Sequence, residues 1–190
     1  GLCIDDTTLL DCPERMPYLW PHTRERITTL RLFTPWKAKW PRWKRENAWT
    51  KLINFVTAHN IRILVGVEHG CDDVQNDMEW ATAKKFLARI GASRVMAVAI
   101  GNEMELLWAK SEKFVPPGCL DRLWVNRSFV KTYISRVTEL DKIPGFDRVP
   151  VTTVLGGFAL APSRFPFVEE NIAKINTFLD VVTKKYGQRL

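Results

Sequence analysis

The tripeptide Gly101-Asn102-Glu103 follows directly on the apolar run Val95 to Ile100. A buried strand that ends this way delivers an amide and a carboxylic acid together at its mouth. Placing a carboxyl there costs desolvation unless it is hydrogen-bonded or put to use. Burial raises its pKa, which is what a general acid at neutral pH requires. The adjacent Asn can donate to a sugar hydroxyl while the acid protonates a glycosidic oxygen. The competing structural reading has Glu103 capping the next helix or pairing with a lysine.

Three other segments bring polar groups to the ends of strand-like runs. They are Leu32-Phe33-Thr34-Pro35, Gly66-Val67-Glu68-His69, and Thr152-Thr153 leading to Gly156-Gly157. Glu68 is a weaker candidate for a second carboxylate. Glu105, two residues beyond Glu103, is expected to point elsewhere. His69 is a lone loop histidine, a type more often structural or solvated than catalytic.

The elements that must position these groups alternate regularly. Ile27 to Phe33, Ile61 to Val67, Val95 to Gly101 and Val149 to Leu155 read as strands, and Gly1 to Ile4 as a short opening one. Runs apolar on both faces suit a sheet covered by helices. The second, third and fourth strands begin 34 residues apart, the length of one βα unit. Helical patterns fill the gaps at Asn47 to His59, Asn76 to Ile90, Arg122 to Leu140 and Asn171 to Tyr186. The segment Pro13 to Glu25 is the expected first helix, and Asn76-Asp77 the expected cap of the third. Such alternation predicts a parallel sheet with right-handed crossovers, either doubly wound or a (β/α)8 barrel. No G-x-G-x-x-G supports a dinucleotide fold. A barrel takes about 250 residues, so 190 residues read as one domain that supplies about the first five β/α units.

The motifs around these strands resemble glycoside hydrolase family 17, the β-1,3-glucanases and glucanosyltransferases. Gly101-Asn102-Glu103 is similar to the family's G-N-E, and Gly1-Leu2-Cys3-Ile4 to its opening G-V-C-Y. Leu30-Arg31-Leu32-Phe33 is similar to R-L-Y, Ile63 to Val67 to its third strand, and Val149-Pro-Val-Thr-Thr153 to its P-V-T-T strand. The likeness runs in order over nearly the whole chain. It implies a secreted TIM barrel that cleaves or transfers β-1,3-glucan with retention and needs no cofactor or metal. Glu103 is then the acid/base and Asn102 the sugar-positioning amide; Phe33, Glu68, Trp36, Thr153 and Trp108 are further, weaker candidates for lining the cleft. Phe33 stands where Tyr is usual, Thr34 where Asp is common, and Glu68-His69 where plant enzymes have Pro-Asn. The family nucleophile lies on a seventh strand, so the missing part of the barrel, or a second chain, is an expected partner. The alternative is a non-catalytic carbohydrate-binding or assembly subunit on the same fold.

Composition narrows the setting. The net charge is +7 and the pI near 9.4, which favours anionic neighbours without naming one. No apolar run approaches the roughly 20 residues of a membrane-spanning helix. Pro35 to Glu46 carries Trp36, Trp40 and Trp43 among five cations and one acid. It reads as packed tryptophans with cations in solvent, as a sugar platform led by Trp36, or as an anionic-polymer site. No nucleic-acid motif accompanies it, and nucleic acid is not an expected partner. Cys3, Cys12, Cys71 and Cys119 lack C-x-x-C spacing, so disulfides or buried thiols are expected and a zinc site is not. Asn126-Arg127-Ser128 is an N-glycosylation acceptor. The absence of an initiating Met fits a removed signal peptide.

Overall fold

The alternation of strand and helix patterns resolves, in a computed structural model, into a five-stranded all-parallel sheet. The structure describes residues 1–190 except residues 5, 111, 112, 158 and 162–167. The strands are β1 (Leu2–Ile4), β2 (Thr29–Leu32), β3 (Arg62–Val67), β4 (Val95–Asn102) and β5 (Val151–Val154). The helices are α1 (Asp6–Asp11), α2 (Arg42–Ala58), α3 (Asp73–Ile90), α4 (Ser128–Leu140) and α5 (Glu169–Tyr186). Strand order follows the chain, β1-β2-β3-β4-β5, with no reversal. A doubly wound sheet needs a reversal to place helices on both faces. With right-handed crossovers, sequential order puts successive helices on one face.

Burial along the strands agrees. Leu30, Leu32, Ile63, Val65, Val67 and Val98 are buried and share a core cluster with the helix residues Leu52, Phe86 and Val137. Register pairs Leu30 with Ile63 and Val65 with Val98, so these side chains form one continuous layer. Each such side chain contributes about 1.5–3 kcal/mol by leaving water. Val65→Asp would put an unpaired charge in the middle of that layer. The opposite face is only partly covered: Arg31, Phe33, Leu64 and Gly66 are half-buried and Cys3 is exposed. The expectation of apolar runs on both faces therefore holds for Val98-Ala99-Ile100 of β4, which is buried throughout, and not for β2 and β3.

Several boundaries moved. Pro13 to Glu25 is no helix: a 3₁₀ turn at Pro13–Arg15 gives way to irregular chain, with one antiparallel bridge between Leu19 and Arg26. Pro17 and Pro21 remove the amide donors that a helix there would need. Helix α2 starts at Arg42, directly after Pro41, so the tryptophan segment is half loop and half first turn. Helix α3 is capped by Asp72, whose carboxylate accepts from the Gln75 N–H at 3.0 Å, and not by Asn76-Asp77. The expected helix from Arg122 to Leu140 is two pieces. A π-helical turn at Asp121–Val125 ends before Arg127, whose φ of 58° breaks the helix ahead of α4.

Candidate functional site

The end of β4 carries two left-handed residues that re-aim the chain. Gly101 has φ of 86° and Glu103 has φ of 48°. The β4–β5 register shifts between Ala99 and Asn102 at the same place, as a bulge does when it redirects a side chain. A Cβ on Gly101 would stand 2.7 Å from Phe129 Cζ. Glycine is thus required both for its φ and for the close approach of that ring.

The redirected Asn102 meets Arg31 from β2. An Arg31 Nη2–H donates to Asn102 Oδ1, reaching past β3. Arginine has donors only, so its partner must be the amide oxygen, and the Asn102 NH₂ is left to donate elsewhere. The Arg31 guanidinium also lies 4.2 Å from the centre of the Phe33 ring. Phe33 thus acts as a floor under the cation, a contact that its aromatic face makes without a hydroxyl.

Glu103 follows in a backbone conformation few non-glycine residues adopt, which costs of order 1–3 kcal/mol and recurs at functional sites. Its N–H donates to Val154 O at 2.7 Å and its carbonyl accepts from the Leu106 N–H at 3.0 Å. Its side chain makes no capping bond to the 3₁₀ turn Met104–Ala109. Among the described residues its carboxylate has no lysine or arginine partner either. Among the described residues, neither part of the competing structural reading is seen.

Glu105, expected to point away, is the buried acid of the pair at 0% exposure. Its Oε1 accepts from the Gly156 N–H after β5, while Oε2 has no partner among the described residues. Burial raises its pKa, and the charge of Glu103 raises it further. The carboxyl with a raised pKa is thus one turn away from the residue the strand pattern singled out. A spacing of two places the pair on one face of a strand, but Glu103 ends the strand and the tight turn carries Glu105 inward.

The remaining candidates spread along the same end of the sheet. Glu68 pairs with Lys37 at 3.4 Å and lines a cavity of about 550 Å³ with His69, Asn76, Glu79 and Phe114; Asn102 and Glu103 are not among its walls. His69 stacks on Phe129 with centroids 5.3 Å apart, and burial pulls its pKa down to about 3. It is neutral near pH 7, and its Nδ1 has no partner among the described residues. Buried Glu79 in the same cavity has a raised pKa, chiefly through desolvation. The disulfide Cys71–Cys119 ties this loop to the chain before the π turn, and Cys3 and Cys12 are free thiols.

Thr153 Oγ1 donates to Gly101 O at 3.4 Å, securing the bulge and not facing a ligand alone. Trp108 stacks on Trp124 at 4.8 Å, the start of an aromatic row through Phe129 to Phe178. Trp36 is 2% exposed and set edge-on to Trp40. It has no free face for a sugar to stack on. Arg31 was legible only as a strand residue. Its signal was a lone cation alternating with Leu30 and Leu32. No family model matches the chain, and neither a curated protein nor a solved structure matches it.

Proposed function

We propose that the chain belongs to a carbohydrate-active (β/α)8 barrel, a retaining β-1,3-glucan hydrolase or transglycosylase in which Glu103 is the general acid/base. The observation that carries this reading is the pairing at the end of β4: a carboxylate without a partner among the described residues, beside an amide whose orientation Arg31 fixes. The Asn102 NH₂ donates to a sugar hydroxyl, and Glu103 protonates the departing glycosidic oxygen. Sequential parallel strands with a half-covered inner face support the barrel. So does the Val151 N–H, which donates to Arg189 O at 2.8 Å, so that the backbone after α5 already lies beside the start of β5. Retention needs a second carboxyl roughly 5–5.5 Å away. Further strands closing the barrel, on this polypeptide or a partner, supply it. The Cys71–Cys119 disulfide and the exposed acceptor Asn126 support a secreted, glycosylated protein.

The test is laminarin cleavage by the natural polypeptide and its Glu103→Gln variant. Loss of proton transfer lowers turnover by about 10²–10⁴-fold with sugar binding retained. An unchanged rate removes Glu103 from the mechanism. A second reading, a non-catalytic carbohydrate-binding subunit, is favoured by how the neighbouring carboxyls are engaged: Glu68 is tied to Lys37 and Glu105 to Gly156. Binding of laminarin with neither cleavage nor transfer establishes it.

A further inference from the structure

Glu103 holds a backbone conformation that glutamate seldom takes, with φ of 48°. A residue stays in such a conformation only where its surroundings over-determine it. Two backbone bonds do part of this. The Glu103 N–H donates to Val154 O at 2.7 Å, and the Leu106 N–H donates to Glu103 O at 3.0 Å. The second lies within the turn itself, so of the two only the first ties the turn to β5.

Glu105 supplies another tie to the same strand end. It stands in the 3₁₀ turn Met104–Ala109, and its Oε1 accepts from the Gly156 N–H, two residues beyond the end of β5 at Val154. The approach is close: a Cβ on Gly156 would stand 2.8 Å from that oxygen. Gly156 is not among the left-handed glycines, so its missing side chain matters for this approach and not for its φ. Glu105 is 0% exposed, and its Oε2 has no partner among the described residues. Burying an acid in this way costs stability, and a half-satisfied buried carboxyl calls for a reason. An apolar side chain of similar volume would fill the space without that cost. It could not accept the Gly156 N–H.

We propose that Glu105 is a positioning residue for Glu103: it ties the turn after β4 to the end of β5 and so holds the left-handed backbone that presents the Glu103 carboxylate. The inference rests on the assignment of Glu103 as acid/base. Glu103 lies between two fixed points on one neighbouring strand end, its own N–H on Val154 O and the Glu105 carboxylate on the Gly156 N–H. Loss of either lets the strained residue relax. Misplacing a catalytic group by about 1 Å costs about a hundredfold in rate.

The test compares two variants of the natural polypeptide. Glu105→Met keeps the volume and removes the acceptor, and Glu105→Gln retains an amide oxygen that accepts. Crystal structures read the backbone, and laminarin cleavage reads the rate. In Glu105→Met, Glu103 leaves the left-handed region and kcat falls about tenfold to a hundredfold with KM little changed. Glu105→Gln keeps the bond to Gly156, the φ of Glu103 and most of the rate. Gly156→Ala displaces the carboxylate with Glu105 itself intact, and it follows the Met variant in both readouts. Glu103 staying left-handed in Glu105→Met and Gly156→Ala overturns the proposal. So does a Gln variant as slow as the Met variant, which would assign the effect to the charge of Glu105 and not to its hydrogen bond. The crystal structures decide the tie even where the parent cleaves no laminarin, an outcome that removes the acid/base reading alone.

Discussion

Arg31 on β2 and Asn102 at the end of β4 are joined by a hydrogen bond that spans the intervening β3. The bond decides which end of the Asn102 amide faces outward. Charge-assisted bonds of this kind are worth about 1.5–3 kcal/mol. Arg31→Met keeps the stem over Phe33 and removes the donors, so the amide turns freely. Under the proposed function, turnover of laminarin is expected to fall about tenfold or more, with a smaller change in KM. Arg31→Lys, which still donates, recovers part of the loss. Equal kinetics in all three proteins would show that the amide needs no such orientation.

Gly101→Ala tests the bulge that aims Asn102. The substitution puts a side chain on a residue with φ of 86°, which costs about 1–2 kcal/mol. It also drives a methyl toward Phe129 Cζ at 2.7 Å, and overpacking of that order costs about 1–3 kcal/mol. Urea unfolding is expected to show a loss of roughly 2–5 kcal/mol. A change below 1 kcal/mol would mean that the bulge and ring relax without strain.

How much was readable in the residues follows from what range of interaction each depends on. Strands β2 to β5 fall within two residues of their β-branched runs, because burial in one layer is a local pattern. Asn102 and Glu103 stand out for the same reason: a polar pair after an apolar strand is visible in six letters. Three features could not be read. Glu105 turns inward because Glu103 takes a left-handed conformation, which no propensity assigns to glutamate. Arg31 matters only through a partner 71 residues away. Trp36 is 2% exposed and packs edge-on against Trp40, a tertiary effect that an aromatic-and-basic composition does not encode. The pairing of Cys71 with Cys119 depends likewise on how the loop after β3 meets the chain ahead of α4.

Two buried groups give pH dependences of opposite sign. His69 has a folded pKa of about 3 against 6.5 in an open chain. The unfolded state therefore binds more protons between those values, so its stabilising effect is complete above 6.5 and is lost as pH falls toward 3. Glu105 has a raised pKa. The folded state binds the extra proton, and its contribution is present below about 4.5 and lost as pH rises through the raised value. Melting temperatures across this range should show His69→Gln less sensitive to acid than the parent, and Glu105→Gln less sensitive to rising pH. Parallel curves for parent and variants would show that neither group is desolvated in solution.

The Cys71–Cys119 disulfide spans 48 residues, from the loop after β3 to the segment before the π turn. Closing a loop of that length removes chain entropy from the unfolded state worth about 4 kcal/mol. Reduction is therefore expected to lower the melting temperature and to loosen the loop carrying Glu68 and His69, while the β2–β3–β4 layer, which holds no part of the bridge, keeps its protection from hydrogen exchange. Thiol titration discriminates this pairing from the others that four cysteines allow. Cys3 is exposed and Cys12 half-buried, so the unreduced, unfolded chain should label at these two positions alone. Peptide mapping that finds Cys71 or Cys119 alkylated without reductant would refute the bridge, and with it the anchoring of that loop.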